Sequence, residues 1–234
     1  MLGEIDVKRI TVDQMLSLPW SYDYEDEDIR GLFSGKESLS ALDLLQDGNL
    51  PPEDKLQLVL REELLDDPIL HDFACRCAED ALKLLDNPDP RCVAAVAAKR
   101  TWLRGEMSDE ELEKARDDAE TAARSASRVD VSVAYCAAYR AADDDAYAAN
   151  HVSHTAAYAA TLVAWNAAYD ATYDSQWDAG EDSNSAARDD AHRYAVSTAR
   201  KAYDTTWRTA YTAQANMLIG MLRESGQSTT QDEY

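Results

Sequence analysis

Between residues 129 and 215 the chain holds 26 alanines and no proline. Such a stretch favours helix along its whole length and gives the backbone few reasons to stop. Aromatic residues recur four apart in two runs, Trp165, Tyr169, Tyr173, Trp177 and Tyr203, Trp207, Tyr211. That spacing places each run on one slowly rotating helix face. Small side chains between the rings let two backbones approach closely, so the pattern predicts long helices zipped by an aromatic seam. Gly180 and the Glu181–Ser185 segment mark the turn and restart, and the second run continues to about Arg223. An unbroken helix of this kind would span roughly 65 to 70 Å, so either an elongated hairpin forms or each run breaks once. A shift of 38 residues lays Trp165, Tyr169 and Tyr173 over Tyr203, Trp207 and Tyr211, a helix-face repeat that favours the hairpin.

Ahead of this region the punctuation is denser. Residues 10–18 read as a short amphipathic helix closed by Pro19, and residues 38–45 as another closed by Gly48. Between them Trp20, Tyr22 and Tyr24 interleave with acids up to Asp28, read as a solvated loop or as an acidic aromatic contact patch. Pro51 and Pro52 open a helix expected to reach Leu65. Pro68 opens the next, stopped by Asn87-Pro-Asp-Pro90. A further helix starts at Arg91 and ends at Gly105, and Ser108 with Glu111 forms a capping box for one that runs to about Arg128. Val129 and Val131 mark a small break. The fold class expected is therefore all-α: a small acidic N-terminal part followed by a long Ala-rich antiparallel hairpin or bundle. The divisions are residues 1–50 as an acidic extension, 51–105 as a compact helical region, 106–224 as the long-helix bundle and 225–234 as a disordered tail.

Charge restricts function more than any motif does. The net charge is −22, with 22 acids against 8 bases in residues 1–90 and 23 against 15 in the remainder. Such a surface repels nucleic acid and anionic membrane and attracts basic partners. No run approaches the roughly 18 apolar residues of a membrane span. Cys75, Cys77, Cys92 and Cys136 sit within helical patterns, as reduced thiols do in a cytoplasmic protein.

Chemistry-bearing motifs are sparse. His151 and His154 share a helix face, but the glutamates of a di-iron bundle are missing around them, so a surface or hydrogen-bonded pair is favoured over half of a metal site. His71 and Cys75 are four apart, yet Cys77 points elsewhere and no second ligand pair follows. No phosphate loop or nucleophile elbow occurs. No catalytic residue, cofactor or metal is expected, and the protein reads as a non-enzyme. The contact residues expected are Glu25, Asp26, Glu27, Asp28, Asp143, Asp144, Asp145, Asp170, Asp174 and Asp178. They are either solvated helix faces or an ordered carboxylate array offered to a basic protein surface in place of phosphate. The latter would make the protein an inhibitor of a nucleic-acid-binding defence effector, of anti-CRISPR or anti-restriction type, and a DNA mimic.

The segments DKLQLVLREELL, HDFACRCAEDALKLL, DNPDPRCVAAVAAKRTWLRGE and SDEELEKAR, between Lys55 and Arg116, carry a resemblance. With the Ala/Tyr/Trp-rich tail, over roughly residues 50–223, the chain resembles an alanine-rich helical family of phage and bacterial proteins related to Imm-5-like immunity proteins. The resemblance implies a small binder in a bacterial cytoplasm, phage-borne in some cases, with no catalytic residues to transfer. An immunity protein that blocks a toxin, and a structural or assembly protein of a virion or complex that forms oligomers through the aromatic seam, stand as the alternatives, and a homodimer is compatible with any of these.

Overall fold

The computed structural model describes residues 8–18, 24–145, 148–178 and 185–225, without the side chains of 176–178 and 185–188. The all-α expectation holds, with one addition: a two-stranded antiparallel ribbon of β1 (Arg9–Thr11) and β2 (Ser38–Ser40), in which Ile10 faces Leu39. These strands take the first residues of the two short helices expected near the N-terminus. What remains helical is α1 (Val12–Ser17) and α3 (Ala41–Leu45), each opened by a capping box, from Thr11 with Gln14 and from Ser40 with Asp43. Of the acidic aromatic stretch, residues 20–23 lie outside the described residues and Tyr24 and Glu25 are loop, but Asp26, Glu27 and Asp28 form the first turn of α2 (Asp26–Phe33), where acids complement the positive helix end.

Next, α4 (Pro52–Val59) stops short of Leu65. Turns over residues 60–66 bury Leu60, Leu64 and Leu65 instead. Helix α5 (Asp67–Leu82) is joined to α6 (Pro90–Leu103) by Arg100, which bonds Asp72 at 2.6 Å and Glu79 at 2.7 Å. The Ser108–Glu111 box opens α7 (Asp109–Ser125) as the sequence requires, and a break at residues 126–128 precedes α8 (Val129–Ala141).

The Ala-rich region then divides unevenly. Its first run breaks between α8 and α9 (Ala148–Asp178), whereas its second forms α10 (Ser185–Glu224) without interruption. Asp143, Asp144 and Asp145 supply the break, because three aspartates at the negative end of α8 oppose its dipole and are poor helix formers. Helices α9 and α10, roughly 45 and 60 Å long, pack against each other antiparallel. Their register is fixed by a buried reciprocal pair. The Ser153 hydroxyl donates to Gln214 Oε1 at 2.7 Å, and Gln214 Nε2 returns a bond to the Ser153 carbonyl at 3.1 Å. Farther along, Trp165 meets Tyr203 edge-on at 6.4 Å, Tyr203 stacks on Trp207 at 6.0 Å, and Tyr169 stacks on Tyr173 at 5.6 Å.

Two kinds of core material merge. Leucines of α3, α4 and α5 form the front, and alanines such as Ala134, Ala138, Ala157 and Ala159 form the rest. They belong to one continuous cluster because the end of α10 returns Leu218, Met221 and Leu222 to the front, where the helix packs on α3, α4 and α5. That return creates the groove described next.

Candidate functional site

Four helices enclose a groove of about 560 Å³. Helix α4 contributes Glu53 and Asp54 from its first turn, α8 contributes Arg140 from its last, α9 contributes His151 and His154, and α10 contributes Trp207 and Tyr211. Both histidines of the pair noted in the sequence line this groove, and each is hydrogen-bonded, His151 to Arg140 and His154 to Tyr211. His151 Nδ1 lies 2.9 Å from Arg140 Nη1. A guanidinium only donates, so this imidazole nitrogen accepts and the ring is neutral. Burial, then the adjacent Arg140, lowers the affinity of His151 for a proton. His154 is lowered too, by burial first and then by His151 and Arg140. Its Nδ1 lies 3.0 Å from the Tyr211 hydroxyl and its ring meets Trp207 edge-on at 5.3 Å. Tyr211 is held in its protonated form by burial and by the negative charge of Glu53.

Two polar atoms of the groove are left over. Glu53 Oε2 and Arg140 Nε are both buried, neither has a hydrogen-bond partner, and no ion pair joins the two side chains. Buried polar atoms are nearly always satisfied, so one carboxylate oxygen and one guanidinium N–H left without partners in the residues of one groove single it out among the pockets of the fold.

The acids expected to make contact lie on three different stretches of the fold. Glu25, Asp26, Glu27 and Asp28 are exposed on α2, with the Asp28 carboxylate accepting the Glu25 backbone N–H at 3.1 Å. Asp170 and Asp174 are exposed one turn apart on α9, and the side chain of Asp178 lies outside the described residues. Asp143, Asp144 and Asp145 gather around the ammonium of Lys99, a fully buried residue. Lys99 Nζ donates to the Asp143 main-chain carbonyl and lies 4.0 Å from the Trp102 ring centre, while the Asp143 carboxylate approaches Arg116 at 3.8 Å. Burial lowers the Lys99 pKa to about 8 against the opposing pull of Cys75 and these aspartates.

The second candidate pair dissolves into the core. His71 turns edge-on to Trp102 at 5.8 Å, and burial with the charge of Lys99 lowers its pKa to about 4. Cys75 is buried, and its thiol is pushed up to about 11. Among the described residues, no three His, Cys, Asp or Glu side chains are placed to share a metal ion. Nor is any described helix long and apolar enough to cross a membrane.

A family model described as Imm-5 like putative immunity protein matches residues 65–182, half of the chain. The chain belongs to this family. Neither the curated proteins nor the solved structures contain a match to it. The resemblance carried by residues 55–116 is borne out, over a shorter span than the 50–223 expected. The Imm-5 like segment runs from the turn before α5 through α9 and so includes Arg140, His151 and His154. Glu53, Trp207 and Tyr211 come from the flanking parts of the chain. Sequence reasoning found the histidines by their spacing. It missed Glu53 and Arg140, which stand 87 positions apart with no periodicity to connect them.

Proposed function

We propose that this protein is a non-enzymatic, immunity-type binder that neutralises a basic partner protein by covering part of its surface. The observation that carries this reading is membership of the Imm-5 like family on a chain of net charge −22. Long-range attraction would speed encounter with a basic partner and weaken as salt screens it. The partner class that the family points to is a toxin, encoded beside its immunity protein. Co-expression tests this: cells producing the neighbouring toxin should survive when this chain is present, and the two should co-purify as a complex that high salt weakens. Reversing Asp170 and Asp174 should lower affinity at low salt by about tenfold or more with little change in the melting temperature; reversing Glu25, Asp26 and Glu27 should lower it too, at some cost to the first turn of α2. Failure to protect, or unchanged affinity after every reversal, rejects the reading.

A narrower version is nucleic-acid mimicry directed at a host defence effector, favoured by the exposed spacing of Asp170 and Asp174, about 6 Å along α9. Against it, Asp143 and its neighbours face cations of the protein itself, and Asp170 lies near enough to Arg128 to add to the field on that side chain. Mimicry requires that double-stranded DNA and this chain exclude each other from the partner; simultaneous binding of both discards it.

A further inference from the structure

The groove between α4, α8, α9 and α10 has an unequal distribution of charge. On the α4 side stand two carboxylates, Glu53 and Asp54, and on the α8 side one guanidinium, Arg140. Both histidines are held towards neutrality, and the Arg140 Nη1 contact to His151 engages one end of its fork. Of the five N–H groups of Arg140 one is spent on His151, and the buried Nε–H has no acceptor, so a carbonyl oxygen that reaches it would complete it. A simple anion would meet Arg140 but also the repulsion of two carboxylates. A free cation would meet Glu53 and Asp54 but leave Arg140 Nε as it is. One chemistry answers both: a basic amino-acid residue within a polypeptide, which has a cationic head and, a few ångströms away, a neutral main-chain carbonyl. The aromatic lining suits it further, since the rings of Trp207 and Tyr211 can pack against the apolar stem and a ring face attracts a cation. A groove of about 560 Å³ falls within the size range of sites that enclose such groups.

We infer that this groove is the docking site for a basic side chain of the partner protein, its head held by Glu53 and Asp54 and an adjacent carbonyl received by Arg140 Nε. The inference rests on the immunity-type reading in taking the occupant to belong to a basic partner protein. It also explains why Glu53 Oε2 is kept buried without a partner in the free protein: the cost of that desolvation is recovered when a cation arrives. The groove joins residues inside the family segment, Arg140, His151 and His154, to residues outside it, Glu53, Asp54, Trp207 and Tyr211.

The test needs no knowledge of the partner. N-acetyl-arginine methylamide is titrated into the full chain, with N-acetyl-norleucine methylamide as the uncharged control, following the indole N–H of Trp207 and the imidazole of His154 by NMR. Trp207→Phe assigns the indole signal. The arginine probe should shift both signals saturably, and the norleucine probe should bind at least about fivefold more weakly, the worth of roughly one kilocalorie-scale charge contact. Glu53→Gln keeps the shape and removes the charge; it should weaken the arginine probe by a similar factor while the melting temperature stays or rises. Asp54→Asn should weaken it as well and serves if the first variant is poorly folded. Equal binding of the two probes, or undiminished binding to both variants, overturns the assignment. If Glu53→Gln still protects cells and captures the toxin at full strength, the groove assignment fails while the immunity reading stands. If the toxin is never captured but the probe titrates as expected, the reverse holds.

Discussion

Lys99 shows what a single residue can reveal about pH. Its side chain is fully buried, donates to the Asp143 carbonyl and faces the Trp102 ring, with Asp143, Asp144, Asp145 and Cys75 around it. Burial wins over those favourable neighbours, so the folded protein releases this proton near pH 8, whereas the unfolded chain holds it to about 10.5. Between these values the unfolded state binds more protons, and stability rises with pH through linkage. Cysteine thiols with raised pKa values act in the opposite direction from about pH 9. The measurement must therefore be a difference. The unfolding free energy of the wild type minus that of Lys99→Met should climb from pH 8 to 10.5, because the thiols are common to both proteins. A flat difference would mean that the ammonium is not paying for its burial.

At the level of elements, the short front helices depend on their caps and the long ones on close approach. Asp43 closes the capping box of α3 by accepting from the Ser40 backbone N–H and hydroxyl, and it also pairs with Lys36 at 2.9 Å and Arg9 at 3.3 Å. Burial alone would raise its pKa, but the bonds from Ser40 and Lys36 outweigh that and lower it to about 2. Its contribution is complete above pH 3.8 and is lost as pH falls towards 2. Asp43→Ala should cost about 1 to 2 kcal/mol in urea unfolding at pH 7, and the difference from wild type should shrink as pH approaches 2. The Ala-rich helices have a different weakness. Ala138 in α8 and Ala157 in α9 are fully buried where helices meet. Ala138→Leu or Ala157→Leu should destabilise by about 1 to 3 kcal/mol through overpacking, although leucine has nearly the helix propensity of alanine. A melting temperature unchanged by either variant would show that the interface is loose.

Across the molecule, the sequence was most legible where a residue acts locally. Prolines and the Ser108–Glu111 box located helix starts, and the aromatic spacing named Trp165, Tyr203 and Trp207 as a seam before their rings were seen in contact. What it concealed depends on distance. Three-residue strands such as β1 and β2 carry no period of their own, and although the aspartates that break α8 from α9 are local, the bond that Lys99 donates to the Asp143 carbonyl comes from more than forty positions upstream. Glu53, Arg140 and Tyr211 become neighbours only because α10 returns to the front of the fold. The net charge was legible from the start, and it bears on the whole chain at once. Forty-five acids against 23 bases repel one another most in the compact state, so the fold carries a self-repulsion that counter-ions relieve. Raising sodium chloride from about 0.02 to 0.3 M shortens the screening length from roughly 20 Å to below 8 Å and should raise the melting temperature by several degrees. The same change should weaken capture of a basic partner, because attraction between opposite surfaces is screened along with repulsion within one. Opposite responses, a firmer fold and a weaker complex, are what the acidic surface requires. A melting temperature that falls with salt would mean that the 15 ion pairs seen among the described residues outweigh the repulsion between unpaired acids.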